Sequence, residues 1–273
     1  MWPASWQRTG PRSRGSRRAD CVFGDAGPGR GTFAEFCCVD DGHLAKFDKS
    51  KLSFSEASAL GLAGLTAIQG LRTHGGLRPG GRVVVTAGGG GVGTFAIQVA
   101  KAFGASMVLT TSSRSADLCK SLGADHVVNH RTQDWAHEAL RVSGGESWDV
   151  VLSCTPGYDE WVRGQQVLQG RGTFVTLTGD AEVKGLGDVA SMVLGIGNRK
   201  FWSIFGYTSY KLFLTEAGNT ADIELLRDLA ESRKVRPVID MHFPFTSQGV
   251  ADMYAKQESG TAVGKLVLDV AAE

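Results

Sequence analysis

The chain of 273 residues lacks any apolar run close to the ~18 residues that a membrane-crossing helix requires, and its longest uncharged stretch near the start, 57–71, is broken by Ser, Thr, Gln and three glycines. Charge of one sign is also lacking. With 29 Lys+Arg against 28 Asp+Glu the net charge is +1, which argues against broad electrostatic binding to nucleic acid or to an anionic membrane. The five cysteines (Cys21, Cys37, Cys38, Cys119, Cys154) include no C-x-x-C pair. Reduced, buried thiols of an intracellular protein are therefore expected, rather than a disulfide framework. The six histidines (His43, His74, His126, His130, His137, His242) are scattered singly, without H-E-x-x-H or related spacing, and no G-x-S-x-G elbow occurs. Neither a protein-bound metal nor a serine nucleophile is expected. No period typical of a repeat array is visible.

Two local absences say more. No acid precedes Asp20, where Arg8, Arg12, Arg14, Arg17 and Arg18 accompany Ser and Pro. That is the composition of an organellar transit peptide, and equally of a start that does not fold. No acid occurs between Gly88 and Ala116 either, and this second gap bears on ligand choice.

Glycine is abundant instead, at 37 residues, nearly twice the average usage of ~7% and without a collagen-like period. Tight turns and close backbone approaches are implied. Ser53-Phe54-Ser55-Glu56 reads as a capping box opening a helical stretch to about Gly75. After a turn at Arg78–Gly81 the pattern alternates. Strands are expected at 82–86, 106–111, 126–129, 148–153 and 172–177, with helices at 94–103, 114–122, 133–141 and 159–168 between them. Strand–helix repetition implies right-handed βαβ units and a parallel, doubly wound α/β sheet. Further strands are expected at 210–215, 237–241 and 265–270, with helices at 221–232 and 246–257, and one or two strands within 32–47 around Cys37-Cys38-Val39.

The segment Thr86-Ala87-Gly88-Gly89-Gly90-Gly91-Val92-Gly93 places Gly88-x-Gly90-x-x-Gly93 between a β-branched strand and an amphipathic helix. Alone such spacing is weak, because four successive glycines satisfy several registers. In that context it fits a dinucleotide loop, where glycines let the backbone approach a pyrophosphate and the helix tip presents free N–H groups. An NAD site carries Asp or Glu about 20 residues on, to accept from ribose hydroxyls. Here the second strand ends in Thr111-Ser112-Ser113-Arg114. Hydroxyls and a guanidinium suit a 2′-phosphate, so NADPH is the expected cofactor, with Arg114 as its bidentate partner. Ser113 reads equally as an N-cap.

GLAGLTAIQGL (61–71), LRPGGRVVVTAGGGGVGTFAIQVAKAFGA (77–105), SLGADHVVNH (121–130) and RPVIDMHFPF (236–245) resemble the quinone oxidoreductase branch of the medium-chain dehydrogenase/reductase superfamily, in particular its zeta-crystallin-like and reticulon-interacting members. The resemblance implies a zinc-independent, NADPH-dependent reductase acting on quinones or α,β-unsaturated carbonyls. It implies that Gly89, Gly90, Gly91, Val92 and Gly93 cradle the phosphates and that Ser112 sits at the adenosine 2′-phosphate. Cys154 and Leu177 would stand near the nicotinamide half, with Phe213 and the Gly264-Lys265 pair closing the far side. Leu177 and Phe213 read equally as core, and Lys265 as a solvated strand end. Two departures stand out: Gly89 replaces a frequent Ser, and His130 replaces a Tyr that stacks near the 2′-phosphate. His130-Arg131 supplies cationic or stacking contacts in that role, or forms a plain exposed turn.

The resemblance begins at about Gly31, so a GroES-like β-domain is expected to be incomplete, as in a truncated chain. The expected organisation is an unfolded or mis-assigned 1–31, a remnant of that domain at 32–52, a Rossmann domain at 53–232 and a return segment at 233–273. No proton donor is identified, so catalytic residues stay open. A silent NADPH-binding module is the rival reading. A Rossmann methyltransferase is disfavoured by the missing acid. A small-molecule substrate and, by resemblance, a homodimer are the expected partners; cytoplasm, mitochondrion and chloroplast are not distinguished.

Overall fold

In the computed structural model, residues 20–170, 172–178, 197, 199, 201 and 208–270 are described; the arginine-rich start, Arg8 to Arg18, lies outside them. In chain order the elements are β1 (Val22–Gly24), β2 (Leu44–Lys46), α1 (Phe54–Ile68), β3 (Arg82–Val85), α2 (Gly91–Ala102), β4 (Met107–Thr111), α3 (Ala116–Ser121) and β5 (His126–Val128). They continue with α4 (Trp135–Val142), β6 (Val150–Ser153), α5 (Tyr158–Leu168), β7 (Thr173–Thr176) and β8 (Ser209–Leu212). The last are α6 (Thr220–Glu231), β9 (Ile239–Pro244), α7 (Ser247–Glu258) and β10 (Lys265–Asp269). The chain divides into two compact units, one of residues up to Thr66 with those from Thr215 onward, the other Ala67–Leu214.

In the Ala67–Leu214 unit the inner strands β3, β4, β6 and β7 are buried along nearly their whole length, and β5 and β8 flank them. They form one six-stranded parallel sheet of order β5-β4-β3-β6-β7-β8. The order reverses between β3 and β6, as in the doubly wound fold expected from the alternating pattern. On one face α2 contributes Phe95, Ile97 and Val99, all fully buried. On the other face α4 and α5 pack Trp135, Ala139, Trp161 and Leu168 against Trp148, Phe174 and Tyr210. Trp161 meets Phe174 and Tyr210 edge-on at 5.4 and 5.2 Å, and the enclosed Trp148 indole donates to Ala139 O at 3.1 Å. Truncating such an aromatic to Ala typically costs about 3–5 kcal/mol, so this face anchors the sheet. α4 starts where Asp134 accepts from the Ala136 N–H at 2.8 Å, which satisfies a donor that the helix itself cannot.

In the other unit β1 and β2 pair antiparallel, and Phe23 packs edge-on against Phe47, which meets Phe54 in turn. The capping box forms as the sequence implies: Ser53 N–H donates to Glu56 Oε2 at 2.9 Å and Glu56 N–H to Ser53 Oγ at 3.1 Å. β9 and β10 pair parallel, and α7 covers them through Phe243, Met253 and Leu268.

Several expectations change. The strand lies at Leu44–Lys46, not around Cys37–Val39, where Cys38 is exposed and no strand partner is found among the described residues. Val22–Gly24 forms its partner inside the segment 1–31 expected to be unfolded, because Val22 and Phe23 are both buried. The helix expected to run from Ser53 to Gly75 is α-helical only to Ile68. It then widens into a π-turn over Gln69–His74, where Gly70 approaches β6 so closely that a Cβ would stand 2.9 Å from Leu152 Cδ1. The two units divide at Thr66/Ala67 and Leu214/Thr215, with α6 packing against β2 and, through Leu226, against α1 at Gly64.

Candidate cofactor site

Parallel strands end at one edge, and the register here is strict. Val85 lies beside Thr110 and Leu152, and Leu152 beside Val175. The next residue of each of these four strands therefore carries a hydroxyl: Thr86, Thr111, Ser153 and Thr176, none more than 4% exposed. Buried hydroxyls need partners, and these find them in the loops that follow. Thr111 accepts the Ala87 N–H on its side chain and the Gly88 N–H on its carbonyl, both at 2.9 Å. Thr86 Oγ1 accepts the Cys154 N–H at 2.9 Å, and Ser153 Oγ donates to Thr155 O at 3.0 Å. The polar row thus pins the loops of the crevice.

The glycine turn is built on these anchors. Ala87 takes the left-handed conformation, φ 52°, and its carbonyl accepts from the Gly90 N–H at 2.9 Å. Gly90 then caps α2 with no side chain over the helix end, and the first turn holds no acid. The N–H groups of Gly91, Val92 and Gly93 have no carbonyl within the helix to bond, so the positive end of α2 faces outward as bare amides. The inner side is tight: a Cβ on Gly88 would stand 2.0 Å from Thr110 Oγ1, and one on Gly93 2.2 Å from Ala87 O. Gly89 to Val92 are only half-buried. This is a cradle that a diphosphate fits and side chains would fill.

At the end of β4, Ser112 is buried at 8% exposure. Its N–H donates to Val128 O at 2.9 Å and its Oγ accepts from the Ser115 N–H at 3.0 Å. Gly89 faces the same cluster: a Cβ there would be 2.8 Å from Ser115 Oγ and 3.7 Å from Ser112 Oγ. Ser in place of Gly89 would collide with Ser115, which accounts for the glycine. Cys119 lies beneath; burial raises its thiol pKa more than the Ser112 hydrogen bond lowers it. Arg114 and His130 are exposed, and His130 sits in the turn closed by Arg131 N–H to Asn129 Oδ1 at 3.1 Å.

Cys154 and Leu177 follow β6 and β7 directly, with Leu177 N–H donating to Ser153 O at 3.2 Å. Burial pushes the Cys154 thiol up to about 12, so it is neither nucleophile nor base near neutrality. Phe213 follows β8, is 9% exposed and stacks on His74 at 4.1 Å. Lys265 opens β10 in the other unit, its amine held below the ordinary lysine range by burial. The structure thus brings Gly89 to Gly93, Ser112, His130, Cys154, Leu177 and Phe213 to the carboxyl edge of one sheet, the usual ligand crevice of open α/β sheets. Sequence reasoning passed over Thr86, Thr155 and Ser115; hydroxyls at several strand ends were the available signal. Among the described residues, no three His, Cys, Asp or Glu side chains converge to hold a metal.

Residues 122–268 match the family described as zinc-binding dehydrogenase. The 2-methylene-furan-3-one reductase of Solanum lycopersicum is 33% identical over 96% of this chain and 60% of its own length. The mitochondrial NAD(P)H oxidoreductase RTN4IP1 of Homo sapiens is 31% identical over 88% of this chain and 62% of its own length. The chain therefore spans about six-tenths of the length of these curated relatives. The solved quinone oxidoreductase from Coxiella burnetii superposes with a TM-score of 0.72 at 26% identity, covering 94% of this chain and 74% of that one. With the family match extending over more than half of the chain, the chain belongs to the zinc-binding dehydrogenase family, in the quinone oxidoreductase branch of the medium-chain dehydrogenase/reductases.

Proposed function

We propose that the chain binds NADPH and directs hydride transfer to a quinone or an α,β-unsaturated carbonyl. The observation that carries the cofactor choice is the acid-free end of β4, where the hydroxyls of buried Ser112 and half-buried Ser115 lie beside Gly89 and Arg114 follows. A carboxylate there would accept from a ribose diol and repel a phosphate; hydroxyls and a guanidinium do the reverse. The Gly91, Val92 and Gly93 amides hold the diphosphate, and Cys154 and Leu177 border the nicotinamide half. Bound there, reduced nicotinamide supplies the hydride. The protein's part is to orient it and keep nearby groups inert, as the protonated Cys154 thiol does. The substrate class is supported by the names of the relatives, a furanone reductase and a quinone oxidoreductase.

Fluorescence titration with NADPH and NADH tests the cofactor. Tighter NADPH binding is expected, and Arg114→Ala should weaken NADPH alone by about tenfold or more, the loss of one charge-assisted contact. Equal affinities unaffected by Arg114→Ala would overturn the assignment. Turnover is tested by following NADPH oxidation with phenanthrenequinone; tight binding without oxidation would leave a binding module.

A further inference from the structure

Thr86 and Thr155 meet where the strand order reverses. Thr86 follows β3 and is 1% exposed. Thr155, half-buried, lies two residues beyond β6. Their hydroxyl oxygens are 2.9 Å apart. Either oxygen can be the donor in that pair, and proton accounting decides between them. A threonine hydroxyl has one proton to give and two lone pairs. Thr86 Oγ1 already accepts the Cys154 N–H at 2.9 Å. Were it also to accept from Thr155, its own proton would be enclosed with no acceptor, an unfavourable state for a desolvated donor. Thr86 therefore donates to Thr155. The Thr155 proton is left over, and among the described residues no acceptor receives it.

A doubly wound sheet binds a dinucleotide as two mononucleotides, one on each half, across the crevice at the reversal point. The half made of β3, β4 and β5 carries the glycine turn and Ser112. Thr155 stands on the first loop of the other half. We propose that Thr155 is a cofactor-binding residue whose hydroxyl donates to an oxygen of the nicotinamide mononucleotide half, and that Thr86 positions it. This rests on the nicotinamide cofactor proposed above. Because Thr86 follows the strand that leads into the diphosphate turn, the pair ties the grip on the diphosphate to the orientation of the reactive ring.

The test compares Thr155→Val, which keeps the shape and removes the hydroxyl, with Thr155→Ser, which keeps the hydroxyl. Full-length variants are titrated with NADPH, NADH and 2′,5′-ADP, and their melting temperatures are recorded. Thr155→Val is expected to weaken NADPH and NADH by the same factor, about tenfold for one hydrogen bond, and to leave 2′,5′-ADP unchanged. Thr155→Ser should bind both within about twofold of the parent, the hydroxyl being retained. Thr86→Val should repeat the selective loss, and the double variant should lose no more than either alone, since both act through one proton. Parental binding of NADPH by Thr155→Val overturns the inference alone, as does an equal loss of 2′,5′-ADP. A parent chain that binds none of the three nucleotides removes the proposed function and this inference with it.

Discussion

Replacing Gly93 by Ala tests the geometry on which the cofactor turn depends. A Cβ at this position would stand 2.2 Å from Ala87 O, 2.8 Å from Gly88 Cα and 2.9 Å from Ala87 C. All three are backbone atoms, so no rotamer change relieves the overlap. The turn is itself held by Ala87 N–H on Thr111 Oγ1 and Gly88 N–H on Thr111 O. Alanine would gain up to about 1 kcal/mol of helix propensity. Against that, overpacking costs about 1–3 kcal/mol, at the upper end here because main chain must move. Displacing the turn also loses at least one hydrogen bond, about 1 kcal/mol. The net is a destabilisation of about 2–3 kcal/mol, or a melting temperature lower by about 4–12 °C for a chain of this size. Circular dichroism melting of full-length Gly93→Ala beside Gly31→Ala measures it. Nothing lies within 4 Å of a Cβ on Gly31, so that control should stay within about 0.5 kcal/mol. A Gly93→Ala melt indistinguishable from the control would refute the account of helix, turn and strand as a close-packed unit.

Three further outcomes follow from the same structure. Asp134→Ala removes the side-chain cap on the Ala136 N–H and should cost about 1 kcal/mol, read by urea unfolding; an unchanged midpoint would deny the cap its role. At Glu56, burial raises the carboxyl pKa, but the Ser53 N–H and Arg233 outweigh it and hold the group below its ordinary 4.5. A pKa depressed on folding contributes stability above the unfolded value and loses it as pH falls through the folded one. Glu56→Gln should therefore flatten the fall in melting temperature below pH 4.5, and an identical acid profile would contradict this. With its thiol near 12, Cys154 should resist iodoacetamide at pH 8 while the exposed Cys38 reacts, because the thiolate is the nucleophile; peptide mass mapping that finds Cys154 labelled first would refute it.

What was legible in the sequence followed from strong local rules. The β-branched run at Arg82–Val85 has only one sensible place, in the interior of a parallel sheet, and the 3.6-residue spacing of α2 shows its buried face directly. Ser53 and Glu56 announced their reciprocal cap by spacing alone. The glycines were readable as a turn, but not which of them faces inward. That division depends on Thr110, Ala87 and Ser115, which come close only in three dimensions. Less was legible where partners are distant. Val22–Gly24 is too short to be read as a strand until Leu44–Lys46 lies against it. The Thr86–Thr155 contact joins residues 69 apart, and its meaning comes from an accounting of protons that no sequence window contains.

β3 is the first strand of its sheet to be synthesised, yet it ends in the middle. Its neighbour β4 follows within one helix, but its other flank waits for β6; the Arg82 N–H that opens β3 is bonded to Asp149, 67 positions later. On the ribosome, a three-stranded half can form early and must carry one bare flank of Val83, Val84 and Val85 until that later segment emerges. Such long-range parallel pairing is slow, and an uncovered valine ladder invites wrong partners. The residue order that places a cofactor crevice at the centre of the sheet thus also sets the moment at which the growing chain is most open to aggregation.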